Sequence, residues 1–240
     1  MSDSDANTTP SSDAALWARF ERLGSAVAGD VLDEMGYRNQ ILNASIRRVA
    51  PGMKVAGPAF CIVGSPLPLH RVQRGSAPGY EMFRHMYDGC VAVMDTGGAT
   101  VAGPWGENTA LSARMRGCRG VVIDGGTRDA AELEEMAFPA FTKFVTPARV
   151  ENRWLHVEFQ VPIQMPGQVG EWVTVEPGDI VVADADGVTI VPTSFAGQVA
   201  DDAEEVNRIE ERIREELRHG DDREAIYARN NRYAHIKRPN

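Results

Sequence analysis

The stretch "GCRGVVIDGGTRDAAEL", residues 117–133, decides the fold of this chain. Its apolar run, residues 121–123, ends at an aspartate and two glycines, and the pair Arg128–Asp129 then opens a helical pattern. A similar order of strand, glycine-rich loop and helix occupies residues 90–117. Strands that alternate with helical patterns of about 10–12 residues are typical of βαβ units with parallel pairing. The sequence therefore predicts an α/β fold with parallel strands at its centre.

Helical patterns lie on both sides of this centre. Residues 14–24 and 25–36 are predicted to form two short helices, and Gly36 is the expected C-cap of the second. Near the C-terminus, apolar residues recur every three or four positions over residues 194–219, which predicts a long amphipathic helix. A further short helix is expected in the tail that follows.

Short strands are predicted in two other parts of the chain. One part extends from about residue 36 to residue 63, and the other lies between residues 140 and 192, where Pro, Gly and Asp divide short apolar runs. Residues 64–79 are rich in proline and glycine and are predicted to form a long loop. A loop of this length in a compact domain is more often functional or mobile than idle.

Composition excludes several classes of protein. The 240 residues and 26.2 kDa suffice for one domain with a substantial core. The net charge of −9 argues against a nucleic-acid partner, which needs a positive surface. No apolar run approaches the roughly 18 residues of a membrane helix, and three scattered cysteines make no disulfide framework. Residues 1–12 lack the pattern of a signal peptide, so we expect a cytoplasmic protein with a disordered tail at residues 1–12 and no membrane partner.

Several common catalytic motifs are absent from the sequence. The five histidines show no spacing typical of a zinc site, and there is no GxSxG nucleophile elbow or GxxxxGK[ST] phosphate loop. The glycine-rich segments also lack the GxGxxG order of a dinucleotide site. What remains are the two glycine-rich loops that follow the predicted parallel strands.

Those two loops carry the candidate site. Ligands of open α/β sheets bind beyond the carboxyl ends of the strands, so adjacent loops are expected to converge there. A helix that begins near Asn108 offers free N–H groups to a carboxylate, and Arg128 can bind the same group through two parallel hydrogen bonds. Asp129 and Glu107 supply the oxygen ligands that Mg²⁺ or Mn²⁺ prefers. The spacing thus fits a site for a small oxo-acid on a divalent metal ion, and it also fits an ordinary surface ion pair.

Three ordered motifs resemble the RraA-like family, which includes the class II 4-hydroxy-4-methyl-2-oxoglutarate/4-carboxy-4-hydroxy-2-oxoadipate aldolases. In the central motif, Glu107 is followed by twenty residues and then by Arg128 and Asp129. The resemblance covers about residues 24–195. The three motifs are "PGMKVAGPAFCI" (51–62), "GPWGENTALSARMRGCRGVVIDGGTRDAAEL" (103–133) and "VEPGDIVVADADGVTIVP" (175–192).

The resemblance implies a β/β/α swivelling-type catalytic domain at residues 13–195, with N-terminal helices and a C-terminal helical extension at residues 196–240. It also implies a homotrimer or homohexamer whose active sites lie at subunit boundaries. A carboxylate of the long helix, such as Glu204 or Glu205, is then a candidate to complete a neighbour's site.

The same resemblance assigns expected roles to the residues of the two loops. Asp129 is the expected ligand of Mg²⁺ or Mn²⁺, and Arg128 is expected to bind the pyruvyl carboxylate and stabilise the enolate. Glu107 is expected to lie by metal-bound water, either as an outer ligand or as a base. The expected substrate-binding residues are Gly106, Glu107, Asn108, Thr109 and Arg128, with backbone N–H groups around Glu107 to Thr109 holding a carboxylate.

The implied activity is metal-dependent cleavage of a 4-hydroxy-2-oxo acid through a pyruvate enolate. Oxaloacetate decarboxylation is an expected side activity because it forms the same enolate. Two features depart from the family pattern. Glu107 stands where the family often has aspartate, and residues 64–79 form a longer segment that is expected to border the substrate pocket.

Two alternatives remain open at this point. Lys143 alternates with Phe141 and Val145 on a predicted strand, and a desolvated lysine can form a Schiff base in a metal-independent aldolase. Some RraA-like proteins are instead non-catalytic regulators that bind a ribonuclease or helicase, and the acidic long helix suits such a role. The joint presence of Glu107 with the Arg128–Asp129 pair favours the enzyme.

Overall fold

A computed structural model describes residues 14–67 and 77–239, and the predicted tail at residues 1–12 lies outside these ranges. The described strands are β1 (Arg47–Arg48), β2 (Val55–Pro66), β3 (Val91–Asp95), β4 (Gly120–Thr127), β5 (Ala140–Val145), β6 (Trp154–Phe159), β7 (Ile163–Pro166), β8 (Trp172–Val175), β9 (Ile180–Ala183) and β10 (Val188–Val191). The described helices are α1 (Ala14–Leu23), α2 (Ser25–Met35), α3 (Ala77–His85), α4 (Glu107–Arg114), α5 (Ala130–Glu135), α6 (Ala196–His219) and α7 (Arg223–Arg229), and a 3₁₀ turn at Thr193–Phe195 precedes α6.

The large sheet is parallel at its centre and antiparallel at its edges. Its strand order is β1-β5-β4-β3-β2-β9-β10, with β6 paired to β2, while β7 and β8 form a separate hairpin. The four strands from β2 to β5 pair in parallel, and helices α3, α4 and α5 lie between them in the chain. Strand β4 is buried along its whole length, as expected for a parallel strand covered on both faces. The predicted α/β fold is therefore confirmed.

Successive side chains of the central strands enter two different cores. Ile123 of β4 joins a cluster that includes Met82 of α3 and Leu133 of α5. Its neighbour Val122 joins the opposite cluster, where the hairpin β7–β8 contributes Val173. This division follows from the two-residue period of a strand, which sends adjacent side chains to opposite faces of the sheet.

The N-terminal and C-terminal helices pack together in a third apolar cluster, which contains Phe20, Leu32 and Val206. The apolar stripe of α6 thus covers the body of the same chain, as its narrow pattern indicates. Arg19 of α1 reinforces this contact because its guanidinium lies 2.8 Å from Glu204 and lowers the pKa of that carboxyl. Within the described ranges, no helix has both the length and the apolar character needed to cross a membrane.

The predicted bounds of the loop at residues 64–79 are wrong at both ends. Strand β2 continues to Pro66, and α3 already begins at Ala77. Strand β6 pairs antiparallel with the end of β2, so that Ser65 lies opposite Leu155, after a register shift at Val63/Gly64. Proline and glycine residues within this segment cannot indicate the pairing, because the partner of Ser65, Leu155, lies about ninety residues further along the chain. Residues 68–76 lie outside the described ranges.

Substitution of Phe141 in β5 tests the packing of the apolar cluster that includes the hairpin β7–β8. Its side chain is fully buried against the hairpin-facing cluster, whereas Val145 on the same strand is 53% exposed. We expect Phe141→Ala to lower the free energy of unfolding by about 3–5 kcal/mol and Val145→Ala to change it by less than about 0.5 kcal/mol. Urea unfolding followed by circular dichroism measures both. Equal effects of the two substitutions would contradict the assigned register of β5.

Candidate active site

The two glycine-rich loops meet at the Trp105 backbone carbonyl. This oxygen accepts one hydrogen bond from the Arg128 backbone N–H and one from the Thr127 hydroxyl, both at 2.9 Å. Trp105 and Thr127 also form a parallel β-bridge beyond the end of the regular sheet. The loop after β3 is therefore fastened to the end of β4, as the convergence of loops at the carboxyl edge of the sheet predicts.

Two glycines allow the loops to approach this closely. A Cβ atom at Gly103 would lie 2.7 Å from the Thr127 backbone carbon. A Cβ atom at Gly106 would lie 2.4 Å from Asp129 Oδ2 and 2.8 Å from Arg128 Cγ. Because all three distances are below van der Waals contact, a larger residue at Gly103 would displace the end of β4, and one at Gly106 would displace the side chains of Arg128 and Asp129.

Asp129 is held in an unusual backbone conformation. Its φ of 57° and ψ of 46° are left-handed, a region that a non-glycine residue enters at a cost of roughly 1–2 kcal/mol. Its Oδ2 accepts a hydrogen bond of 3.1 Å from the Glu107 backbone N–H, and its Oδ1 lies 3.1 Å from Arg128 Nε. Backbone strain of this kind is common at functional sites, although Ala137 shows that it also occurs elsewhere in this chain.

A cavity of about 220 Å³ opens in front of this pair. Four of the five residues that the sequence assigned to substrate binding lie in its wall, together with Asp129, whereas the side chain of Glu107 is exposed and outside it. The sequence did not point to Val150 or Glu151, which reach the wall because Gly103 N–H donates to the Ala148 carbonyl. The wall consists of Gly103, Pro104, Gly106, Asn108, Thr109, Arg128, Asp129, Val150 and Glu151.

The N-terminus of α4 adds positive potential to this cavity. The first N–H groups of a helix have no partner within the helix, and the helix dipole favours an anion there. The Glu107 N–H is already bonded to Asp129, so the N–H groups of Asn108 and Thr109 are the ones left for a ligand. Together with the Arg128 guanidinium they form a corner of positive potential in which an anion could bind, and we refer to it as the anion-binding corner.

A family model described as RraA-like, Aldolase/RraA, matches residues 13–190. The chain belongs to the RraA-like family. Among its relatives, protein DlpA of Legionella pneumophila is 28% identical over 207 residues, which are 85% of this chain and 32% of DlpA. A 4-hydroxy-4-methyl-2-oxoglutarate aldolase of Thermus thermophilus is 32% identical over 109 residues, which are 45% of this chain and 63% of that protein.

Solved structures of the family show the same fold. Streptomyces coelicolor RraAS2, described as an unusual member of the RNase ES inhibitor RraA protein family, aligns with a TM-score of 0.72 and 29% identity. The alignment covers 84% of this chain and 96% of RraAS2. The predicted RraA-like fold class is therefore confirmed. The matched stretch covers 32% of the length of DlpA and 63% of the length of the Thermus thermophilus aldolase, so this chain matches only part of each relative.

The donor set of this RraA-like protein fits a hydrated magnesium or manganese ion. Within the described ranges, no three His, Cys, Asp or Glu side chains are grouped so that they could hold a metal ion by themselves. Zinc sites take three or four protein ligands, whereas Mg²⁺ keeps several waters and binds one or two carboxylates. Asp129 and Glu151 are the two carboxylates in the wall of the smaller cavity; Asp129 is paired with Arg128, and Glu151 Oε2 lies 3.7 Å from Arg149 Nε.

A larger cavity of about 460 Å³ adjoins the smaller one and shares five wall residues with it, including Asn108 and Glu151. Trp154 and His156 of β6 form part of its wall, and their rings pack edge to face at 4.7 Å. The Trp154 indole N–H donates to the Thr96 carbonyl at 3.1 Å, while His156 Nε2 is buried with no hydrogen-bond partner among the described residues.

Three other residues singled out from the sequence lie away from both cavities. Lys143 is partly exposed and lines neither of them. Glu204 binds Arg19 of its own chain, and Glu205 is paired with Arg208 one turn further along α6.

The left-handed conformation of Asp129 predicts that two substitutions at this position differ in their effect on the stability of the protein. Both Asp129→Ala and Asp129→Gly remove the same carboxylate contacts, but only glycine adopts a positive φ without a steric penalty. We expect Asp129→Gly to be more stable than Asp129→Ala by about 1 kcal/mol in urea unfolding. Ala137→Gly is the matched control, because Ala137 has a φ of 47° outside the site and should gain a similar amount. Two equally stable Asp129 variants would show that the backbone there is relaxed.

His156 predicts a pH dependence of stability. Burial lowers its pKa to about 4, whereas in the unfolded chain it titrates near 6.5. The unfolded state therefore binds more protons between these values, so stability is complete above about pH 6.5 and falls as the pH drops toward 4. We expect the parent protein to lose roughly 1–3 kcal/mol more over this interval than His156→Gln does. Chemical unfolding at a series of pH values measures the difference, and identical pH profiles would rule out a neutral buried imidazole.

Proposed function

We propose that this chain is a divalent-metal-dependent lyase that cleaves a 4-hydroxy-2-oxo acid to pyruvate and a carbonyl compound. The observation that carries the proposal is the placement of the strained Asp129, the Arg128 guanidinium and the N-terminus of α4 around one cavity. The names of relatives, such as the Thermus thermophilus aldolase, support a lyase of this substrate class.

In the proposed complex, the substrate's 1-carboxylate occupies the anion-binding corner. The Arg128 guanidinium offers two parallel N–H donors, and the N–H groups of Asn108 and Thr109 add neutral donors aligned with the helix dipole. The Arg128 side chain is 39% exposed, so it is accessible from the cavity while its Nε stays paired with Asp129. This fixes the orientation of the 2-oxo group beside Asp129.

Asp129 is the residue that would hold Mg²⁺ or Mn²⁺ in this arrangement, with Glu151 as a second carboxylate of the wall. When bound, such an ion supplies Lewis-acid polarisation of the 2-oxo group. The Asp129 carboxylate needs no reorganisation for this role, because the Glu107 N–H and Arg128 already fix both of its oxygens.

Cleavage then requires the loss of one proton and the shift of one electron pair. The 4-hydroxyl gives up its proton, C4 becomes a carbonyl carbon, and the electrons of the C3–C4 bond move into the enolate of pyruvate. We assign proton acceptance to the exposed Glu107 carboxylate through a water molecule, because its side chain does not line the cavity. The positive charge of Arg128 stabilises the enolate until C3 is protonated.

Oxaloacetate is a second expected substrate. Loss of its C4 carboxylate as CO₂ leaves the same pyruvate enolate at the same position, so Arg128 stabilises it equally. This side activity needs no base at a 4-hydroxyl, and it therefore depends on Arg128 and Asp129 but not on the Glu107 carboxylate.

The assembly is also part of the proposal. We expect a cytoplasmic homotrimer or homohexamer in which the open side of the smaller cavity faces a neighbouring subunit. Because Glu204 is bound to Arg19 within its own chain, its carboxylate would have to exchange partners to complete a neighbour's site. An active isolated monomer would exclude the shared site.

A protein-binding regulator of a ribonuclease is the second candidate. The likeness to RraAS2 favours it, since that protein is described as a member of the RNase ES inhibitor RraA family. The enzyme is ranked first because the Asp129 carboxylate and the Arg128 guanidinium are held together in the wall of a cavity, which a protein-binding surface alone does not require.

Release of pyruvate tests the proposed function. Purified protein is offered 4-hydroxy-4-methyl-2-oxoglutarate or oxaloacetate with Mg²⁺, and pyruvate is measured with lactate dehydrogenase and NADH. We expect EDTA to abolish both reactions, added Mg²⁺ to restore them, and Asp129→Ala to lower kcat/KM by about 10³-fold. Glu107→Gln should lower kcat for the 4-hydroxy acid by about 10²-fold and leave oxaloacetate decarboxylation nearly unchanged.

The exposed Glu135→Gln variant on α5 is the matched control and should behave as the parent. Pyruvate formation that survives Asp129→Ala would refute the assigned site. No pyruvate from either substrate, combined with inhibition of a ribonuclease by the purified protein, would establish the regulator instead.

A further inference from the structure

We infer that Arg149 binds the distal carboxylate of the substrate and thereby makes the site select dicarboxylic 4-hydroxy-2-oxo acids. The inference deepens the proposed function and rests on it for the position of the 1-carboxylate at Arg128. It concerns the segment between β5 and β6, residues 146–153, which the proposed mechanism uses only through Glu151.

Two arginine–carboxylate pairs lie at the smaller cavity. Asp129 and Glu151 both belong to its wall, and each has an arginine beside it. Arg128 Nε lies 3.1 Å from Asp129 Oδ1, and Arg149 Nε lies 3.7 Å from Glu151 Oε2. A ligand with a carboxylate at each end thus meets a cation at each end, whereas Glu151 on its own would repel the distal carboxylate.

Backbone hydrogen bonds anchor the segment that carries Arg149 to the loops of the site. The Thr146 N–H donates to the Thr127 carbonyl at 2.9 Å. The Gly103 N–H donates to the Ala148 carbonyl, also at 2.9 Å. Arg149 follows directly after this second anchor, so its backbone is held beside the cavity while its side chain, which is 66% exposed, stays accessible to a ligand.

The ion pair with Glu151 places the Arg149 guanidinium without using up its hydrogen-bonding capacity. At 3.7 Å the contact is too long for a hydrogen bond, because N–H···O bonds between charged groups are about 2.7–2.9 Å long. A guanidinium has five N–H donors in a planar fork, so a ligand carboxylate can accept two parallel bonds while Glu151 remains its neighbour. The pair also narrows the positions that the guanidinium samples before binding, which lowers the entropy cost of the contact.

The distal carboxylate behaves differently in the two proposed reactions. In cleavage of a 4-hydroxy-2-oxo acid, only the C3–C4 bond breaks, and the carboxylate attached to C4 stays charged in the carbonyl product. In decarboxylation of oxaloacetate, the C4 carboxylate leaves as neutral CO₂ and its bonding electrons enter the enolate. An ion pair with Arg149 therefore persists throughout the first reaction, but it favours the ground state over the transition state of the second.

Binding of two 2-oxo acids of equal chain length tests the inference without relying on turnover. The probes are 2-oxoglutarate and 2-oxopentanoate, which differ only in a distal carboxylate or methyl group. Isothermal titration calorimetry of the full chain with Mg²⁺ at neutral pH should show about tenfold tighter binding of 2-oxoglutarate, as expected for one charged hydrogen-bonded contact. Arg149→Gln should weaken 2-oxoglutarate alone and remove this preference. A preference that survives Arg149→Gln would overturn the inference.

Other arginine variants make the test specific to this position. Arg116→Gln is the matched control, because Arg116 is exposed just after α4 and lines neither cavity, and it should keep the preference of the parent. Arg149→Lys retains the charge without the planar fork and should keep part of the preference. Arg71 and Arg74 lie outside the described ranges, and their glutamine variants test a competing assignment. Loss of the preference in either of them, with retention in Arg149→Gln, would overturn the inference.

Turnover separates the failure of this inference from the failure of the proposed function. Arg149→Gln should raise KM for 4-hydroxy-4-methyl-2-oxoglutarate by about tenfold with little change in kcat, and it should not lower kcat for oxaloacetate. Asp129-dependent pyruvate formation, together with a preference that Arg149→Gln leaves intact, would refute the inference alone. A preference that depends on Arg149 without any pyruvate formation would keep the contact to the distal carboxylate and refute the lyase.

Discussion

The Trp105 carbonyl oxygen holds the candidate site together. By accepting hydrogen bonds from the Arg128 N–H and the Thr127 hydroxyl, it joins the loop after β3 to the end of β4. Everything else in the site depends on this junction, because it brings the first turn of α4 beside the Arg128–Asp129 pair. The glycines at 103 and 106 leave the space that the junction needs.

This junction also fixes the position of the Asp129 carboxylate. Its left-handed backbone is costly, yet the contacts of both carboxylate oxygens and the following helix keep it in place. The parallel sheet below supplies the rigidity, since β4 is buried along its whole length and cannot relax toward solvent. A carboxylate and a guanidinium are thus fixed at the edge of a cavity before any ligand arrives, which reduces the reorganisation that binding or catalysis would require.

The two cavities divide the site by polarity. The smaller one combines Arg128, two acidic side chains and the N-terminus of α4, and it is the polar part of the site. Residues of β6 and α3, among them Trp154, form much of the wall of the larger cavity. Burial in this wall lowers the pKa of His156, which favours its neutral form. The two cavities therefore offer a polar and a mainly apolar environment side by side, joined by a shared wall.

The sequence by itself determined the βαβ core and the helices at both ends, and it predicted the residues of the candidate site. These are encoded locally: apolar runs and glycines mark the strands and turns, and Glu107, Arg128 and Asp129 lie in one contiguous motif. Only the tertiary structure decided what depends on distant segments. The pairing of β6 with Ser65 and Pro66, the entry of Val150 and Glu151 into the wall, and the larger cavity all arise from chain segments about 20 to 90 residues away. Long-range strand pairing is set by the packing of the whole sheet, and no local pattern of residue types records it.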